Sequence, residues 1–190
     1  MPEITENTSL KELAALVSET LERAGIVATL SGGAAVGIYS ENRYESNDLD
    51  FVTVSPVDAL EKALTPLGFV RTGSPRLSVF DHPATQWYLE FPPSPLSFGD
   101  TYVDPKNCAK IETPVGSLRI ITPTHSVMDR LIAAASWHEP QSLEQAMLVA
   151  RHQYDSIDWA ELDIWVMREE IVNDNEVIEF YRKIGRELPR

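Results

Sequence analysis

Cysteine is almost missing from this chain of 190 residues: Cys108 stands alone. That excludes an intrachain disulfide framework and a cysteine-rich zinc site. A reducing, cytoplasmic setting is the expectation that follows. Positive charge is also scarce, with 16 Lys and Arg against 29 Asp and Glu and a net charge of −13. A generally basic nucleic-acid binder is thereby excluded, because its affinity would come from neutralising phosphates. Long apolar runs are missing too, since no stretch approaches the roughly 18–20 apolar residues of a membrane span. The first residues, MPEITENTSLKELAALVSETLERAG, carry acids where a signal peptide has a basic start. Internal repeats and low-complexity tracts are absent as well. What remains is a chain with 43% hydrophobic residues, enough to build a packed core in one domain, or one domain with a small helical appendage.

The charge is uneven. Residues 1–70 carry 11 acids and 4 bases, residues 71–138 carry 6 of each, and residues 139–190 carry 12 acids and 6 bases. The neutral middle is where an anionic ligand meets the least repulsion. It also holds 8 of the 13 prolines, from Pro75 to Pro123, which argues for short strands and loops there.

Ser9-Leu10-Lys11-Glu12 has capping-box form, and the apolar spacing from Leu10 to Ala24 predicts a helix that Gly25 ends. A buried strand is expected at 26–30, a short helix at 34–39, a strand at 48–54 and a helix at 57–67 stopped by Gly68. Two hairpins follow, one from strands at 76–80 and 86–91, the other from 110–112 and 117–121. Four helices are expected after that, at 124–137, 142–153, 158–170 and 174–186, with a capping box at Ser142 for the second. The fold class is therefore α/β (α+β): a small mixed sheet with helices packed on it over residues 1–121, and a C-terminal helical part, residues 122–190, packed on that core.

The strongest chemical signal has two halves. Ser31-Gly32-Gly33 ends a strand and opens a helix, where glycines let backbone approach a phosphate and the helix start offers free N–H groups. After 14 residues comes Asp48-Leu49-Asp50. Residues i and i+2 of a strand share a face, so the two carboxylates project together. Two acids that close repel unless a cation lies between them, and hard oxygen ligands suit Mg²⁺. A third acid is needed for a two-metal arrangement. Glu90, flanked by Leu89 and Phe91 on a strand, is the best candidate, with Asp81 explained by its turn. The carboxylates are expected at one sheet edge.

This combination resembles the nucleotidyltransferase fold superfamily, carried by Leu30 through Gly33, Asp48, Asp50 and Glu90. The pattern Arg43 … Ser46-Asn47-Asp48-Leu49-Asp50-Phe51, and the step Thr122-Pro123-Thr124 into a helix with Asp129-Arg130-Leu131, are similar to the nucleotidyltransferase toxins of bacterial abortive-infection pairs. The resemblance implies transfer of a nucleoside monophosphate from a nucleoside triphosphate to an acceptor hydroxyl: an RNA end, a protein or a small molecule. It implies Mg²⁺ (or Mn²⁺) held by Asp48 and Asp50, with Glu90 as further ligand or base. Ser31, Gly32 and Gly33 would cradle the triphosphate. A cognate antitoxin is the implied partner.

Arg43, Arg76 and Lys110 are candidate phosphate contacts. Arg130 is expected to pair with Asp129. The four histidines show no metal-ligand spacing, and Trp137, Trp159 and Trp165 fit helix packing better than base stacking. Neither a serine-nucleophile elbow nor a Rossmann or Walker loop fits the glycine turn. The competing reading is a catalytically silent module of the same fold that binds a nucleotide or a protein partner; it gains if Glu90 does not converge on Asp48 and Asp50.

Overall fold

The computed structural model describes residues 3–72, 78–137 and 140–190. Ser9 caps the first helix, α1 (Leu10–Arg23): its hydroxyl accepts from the Glu12 N–H, and the Glu12 carboxylate accepts from the Ser9 N–H at 2.9 Å. This reciprocal pairing satisfies two helix-end donors. Leu13, Ala14, Val17 and Leu21 form its buried stripe, which packs on the sheet.

Among the described residues the main sheet has seven strands. They are β1 (Thr29–Ser31), β2 (Asp48–Val52), β3 (Val70–Thr72), β4 (Val79–Asp81), β5 (Tyr88–Glu90), and, after the two short strands β6 (Ser97–Phe98) and β7 (Thr101–Tyr102), β8 (Ala109–Thr113) and β9 (Gly116–Ile120). The order across the sheet is β3-β4-β5-β2-β1-β9-β8, while β6 and β7 form a separate ribbon. β1 runs antiparallel to β2, β2 parallel to β5, and β5 antiparallel to β4. Between these strands run α2 (Gly32–Tyr39) and α3 (Val57–Leu64). After β9 come α4 (Pro123–Trp137), α5 (Pro140–His152), α6 (Trp159–Arg168) and α7 (Asn175–Ile184).

Both expected hairpins form, as β4–β5 and β8–β9. Several details differ from the expectation. The carboxylate strands are not at a sheet edge: β2 and β5 lie side by side in the interior, since β4 covers the far side of β5. Pairing order across a sheet depends on tertiary contacts that no local pattern encodes. The first strand pairs only from Thr29, leaving Val27 50% exposed. The helix expected from Ser142 starts at Pro140, so Ser142 sits in its first turn; proline at a helix start has its φ already set and misses no hydrogen bond. β3, β6 and β7 carry no sequence signal, because strands of two or three residues are too short to show a period.

The C-terminal helices close over α2. Ala34, Ala35 and Val36 are fully buried, and the helix is fixed at its far end by the Tyr39 hydroxyl, which donates to the Ile121 carbonyl at 2.6 Å. Gln153, just past α5, donates to the Tyr39 carbonyl at 2.9 Å. Trp165 of α6 is buried and its indole N–H donates to the Phe98 carbonyl of the ribbon at 3.1 Å. One buried apolar cluster runs from Ile4 to Tyr181.

Candidate active site

The register of the sheet builds the site. Ser31 of β1 pairs with Asp50 of β2, Asp50 with Glu90 of β5, and Asp48 with Tyr88. Side chains opposite one another on neighbouring strands share a face. Ser31, Asp50 and Glu90 therefore form one row across three strands, and Asp48 with Tyr88 a second. Leu49, Phe51 and Leu89 point the other way and are fully buried. They fix the face of the acids, since a slip of one residue would bury the carboxylates instead. One oxygen each of Asp48, Asp50 and Glu90 lies within 4.8 Å of the others. All three side chains are half-buried.

The charges respond as such crowding demands. Burial, then repulsion from Asp48, Glu90 and Asp129, pushes the Asp50 carboxyl up to about 7, and Arg130 only partly offsets this. Burial and Asp48 raise Glu90 as well. The Tyr88 phenol is raised by burial and by the three acids beside it. The donor set fits a divalent cation in its chemistry: three hard carboxylate oxygens, close together and short of positive charge.

The glycine pair meets the acids directly. Gly32 has φ +64°, and a Cβ there would lie 2.0 Å from Asp50 Oδ2. Only glycine lets the helix start this close to the carboxylate. A Cβ on Gly33 would lie 2.8 Å from Ser46 Oγ and 3.1 Å from Tyr44 Cε1. The Ser46 hydroxyl donates to Asp48 Oδ1 at 2.8 Å, so it touches both halves of the site. No side chain caps the start of α2, which leaves its first N–H groups to a ligand. Ser31 Oγ lies 3.4 Å from the Asp50 carbonyl and donates to it.

The other candidates disperse. Arg43 is exposed in the loop between α2 and β2. Lys110 stands on the edge strand β8, three strands from β2, and holds Glu22 at 2.7 Å. Arg76 lies outside the described residues. Arg130 pairs with Asp129 at 2.7 Å, as expected, and donates to Gln145 Oε1 at 3.1 Å; its charge still reaches Asp50. His82, His125 and His152 each have a ring nitrogen near a protein oxygen, and burial raises the Cys108 thiol. Sequence reading assigned no role to Ser46 or Tyr88. Ser46 stands two residues before Asp48, the spacing that joins Asp48 to Asp50, and could have been found by it. Arg130 comes from α4, about 80 residues later, and gives no local sign of reaching Asp50.

No family model matches the sequence, and no curated protein sequence matches it either. Solved structures do. An antigenic nucleotidyltransferase-like protein from Paracoccidioides brasiliensis gives a TM-score of 0.56 at 13% identity, over 77% of this chain and 78% of that one. The antibiotic-resistance factor ANT(2'')-Ia gives 0.55 at 13% identity in its solution structure, over 95% of each chain. Its complex with adenylyl-2''-tobramycin gives 0.52 at 12% identity, over 92% of this chain and 98% of that one. At such identities the likeness is one of fold.

Proposed function

Starting from the nucleotidyltransferase fold that this chain shares with those structures, we propose that it is a Mg²⁺-dependent nucleotidyltransferase. It moves a nucleoside monophosphate from a nucleoside triphosphate to an acceptor hydroxyl. One observation carries the reading: Asp48, Asp50 and Glu90 converge from two interior strands to within 4.8 Å, beside a glycine pair that opens a helix. Glu90 was the discriminator between an enzyme and a silent module, and its convergence favours the enzyme.

Asp48 and Asp50 would hold the metal, with Glu90 beside them. When bound, Mg²⁺ (or Mn²⁺) supplies charge neutralisation and Lewis-acid polarisation of the reacting phosphate. Gly32 and Gly33 present backbone N–H groups to the triphosphate, with Ser31 close by. Arg130 adds positive charge next to Asp50. Arg43, in its loop five residues before Asp48, remains free to reach a phosphate. The acceptor oxygen attacks the α-phosphorus in line. A new P–O bond forms, the bond from the α-phosphorus to the α–β bridging oxygen breaks, and pyrophosphate leaves with the electron pair. Glu90, as the ionised carboxylate, receives the proton of the acceptor hydroxyl; burial and Asp48 raise its proton affinity in that role.

No helix among the described residues is long and apolar enough to cross a membrane, in keeping with a cytoplasmic setting. The likeness of residues 43–51 to abortive-infection toxins supports a toxin role with a cognate antitoxin; a small protein from the neighbouring gene should then co-purify. The activity itself is tested by incubating the protein with each α-labelled nucleoside triphosphate, Mg²⁺ and a panel of acceptors, beside an Asp48→Asn/Asp50→Asn variant. Label moved by the wild type and not by the variant supports transfer. Nucleotide binding without any transfer replaces it with the silent module.

A further inference from the structure

Two rows of side chains cross β2 and β5, and the second ends in a hydroxyl. Asp48 of β2 stands opposite Tyr88 of β5, on the face that also carries Asp50 and Glu90, while Leu49 and Leu89 fill the core behind them. Neighbouring strands lie about 4.8 Å apart, so a phenol on β5 can span the gap to a carboxylate on β2. It does so here: the Tyr88 hydroxyl is hydrogen-bonded to Asp48, and the charges of Asp50 and Glu90 act on it. Tyr88 is only half-buried, so a nucleotide laid over the acids meets it.

The direction of transfer sorts the hydroxyls around the acids. In-line displacement puts the attacking oxygen and the leaving pyrophosphate on opposite sides of the α-phosphorus. The glycine pair follows β1, on one flank of β2, and β5 is the other flank. With the β- and γ-phosphates over the glycine N–H groups, attack comes from the β5 side. Ser31 ends β1, on the leaving-group side; it is 7% exposed and its hydroxyl donates to the Asp50 carbonyl. Ser46 and Tyr44 lie against Gly33, on that side as well. Ser46 is 5% exposed, and its hydroxyl is taken up by Asp48. Tyr88 stands on the attacking side. It lies two residues before Glu90 on the same face of β5, beside the carboxylate that takes the acceptor's proton. A hydroxyl fixed there has no association entropy to lose, which gives it a high effective concentration against any outside acceptor.

We infer that Tyr88 is an internal acceptor: when no outside acceptor fills the site, the chain transfers a nucleoside monophosphate to its own Tyr88 hydroxyl. The inference rests on the nucleotidyl-transfer reading above. The phenol oxygen attacks the α-phosphorus of a bound nucleoside triphosphate. A P–O bond to Tyr88 forms, the bond to the α–β bridging oxygen breaks, and pyrophosphate leaves with the electron pair. The phenol proton goes to the Glu90 carboxylate. The product is a tyrosyl phosphodiester, one per chain, because the hydroxyl is consumed.

The test incubates the full chain with Mg²⁺ and each α-labelled nucleoside triphosphate in turn, without acceptor, and with γ-labelled ATP as the control for phosphate transfer. Intact mass and peptide mapping read the product, and a parallel panel of outside acceptors reads transfer itself. The wild type gains one nucleoside monophosphate, mapped to Tyr88, from α-labelled and not from γ-labelled triphosphate. The fraction labelled per unit time does not change with protein concentration. Tyr88→Phe keeps the ring, removes only the hydroxyl and loses the label; its thermal melt shows that it folds, and mapping of the wild type locates the label independently of the variant. Label kept in a folded Tyr88→Phe chain, label mapped to another residue, or labelling that speeds up with protein concentration overturns the inference. So does a wild type that labels an outside acceptor and never itself, while nucleotidyl transfer stands. A chain that labels neither itself nor any acceptor removes the transfer reading and this inference with it.

Discussion

A carboxyl group buried away from water and set among other carboxyl groups keeps its proton longer than it would in solution, and Asp50 is pushed up to about 7 by that burial first and by its acidic neighbours second. An unfolded aspartate releases its proton near pH ~3.9. The folded protein thus binds the extra proton between about pH 4 and about pH 7, so the contribution of Asp50 to stability is full below that window and lost as pH rises through it. Thermal melts without metal should show the midpoint falling from about pH 5 to about pH 8. Asp50→Asn should flatten that fall and raise the midpoint at about pH 8 by on the order of 2–4 °C, while abolishing transfer. A variant that melts no higher than the wild type there would count against a buried, crowded charge at Asp50. Gly32→Ala places its methyl 2.0 Å from Asp50 Oδ2 at φ +64°. The carboxylate must move, and transfer should fall by roughly 100-fold, as misplacement by about 1 Å at a reacting centre does; kcat measured beside an unchanged circular dichroism spectrum checks it. Ser46→Ala releases Asp48 from its hydrogen-bond donor. The Mg²⁺ concentration for half-maximal rate should rise about 10-fold, the lower end for a ligand's supporting partner, and Ser46→Thr should restore it.

At the level of elements, the ribbon and α6 hold each other through the buried Trp165 indole N–H and, at the end of the helix, through Glu169, which accepts from the Asp100 N–H and the Thr101 hydroxyl. Trp165→Phe leaves the Phe98 carbonyl without its partner and should cost about 1–3 kcal/mol in urea unfolding, with the Mg²⁺ dependence of transfer unchanged. Elements also differ in how far the sequence reveals them. α1 is legible because its cap and its stripe agree, and β2 because Asp48, Leu49, Asp50 and Phe51 alternate by the period of a strand. Glu90 is legible as an acid between two apolar residues on another strand. The interior placement of β5 is not, since which strand neighbours which is settled by packing. Lys110 shows the same limit from the other side. It lies in the neutral segment that a phosphate would prefer, yet the sheet order carries it to β8 and to Glu22. Arg130 reaches Asp50 only because α4 docks on α2, and nothing near either residue in the chain records that docking.

For the whole molecule, the α/β half and the helical half share one apolar cluster. Ala34, Ala35 and Val36 of α2 are fully buried, and Ile121 and Gln153 anchor the end of that helix. A fragment ending at residue 121 should therefore fail to fold, giving an aggregated or unfolded circular dichroism spectrum where the full chain is helical; a soluble, cooperatively melting fragment would show the halves to be separable. The division of labour across the site runs along a different line. Asp48, Asp50 and Glu90 are set by the hydrogen-bonded ladder of β1, β2 and β5, whereas residues 42–47 and 83–87 belong to loops. The ladder does not act alone, since Ser46, which donates to Asp48 at 2.8 Å, comes from the first of these loops. Exchange of residues 83–87 should leave the row of acids in place, whereas exchange of residues 42–47 keeps it only where a hydroxyl stands at position 46.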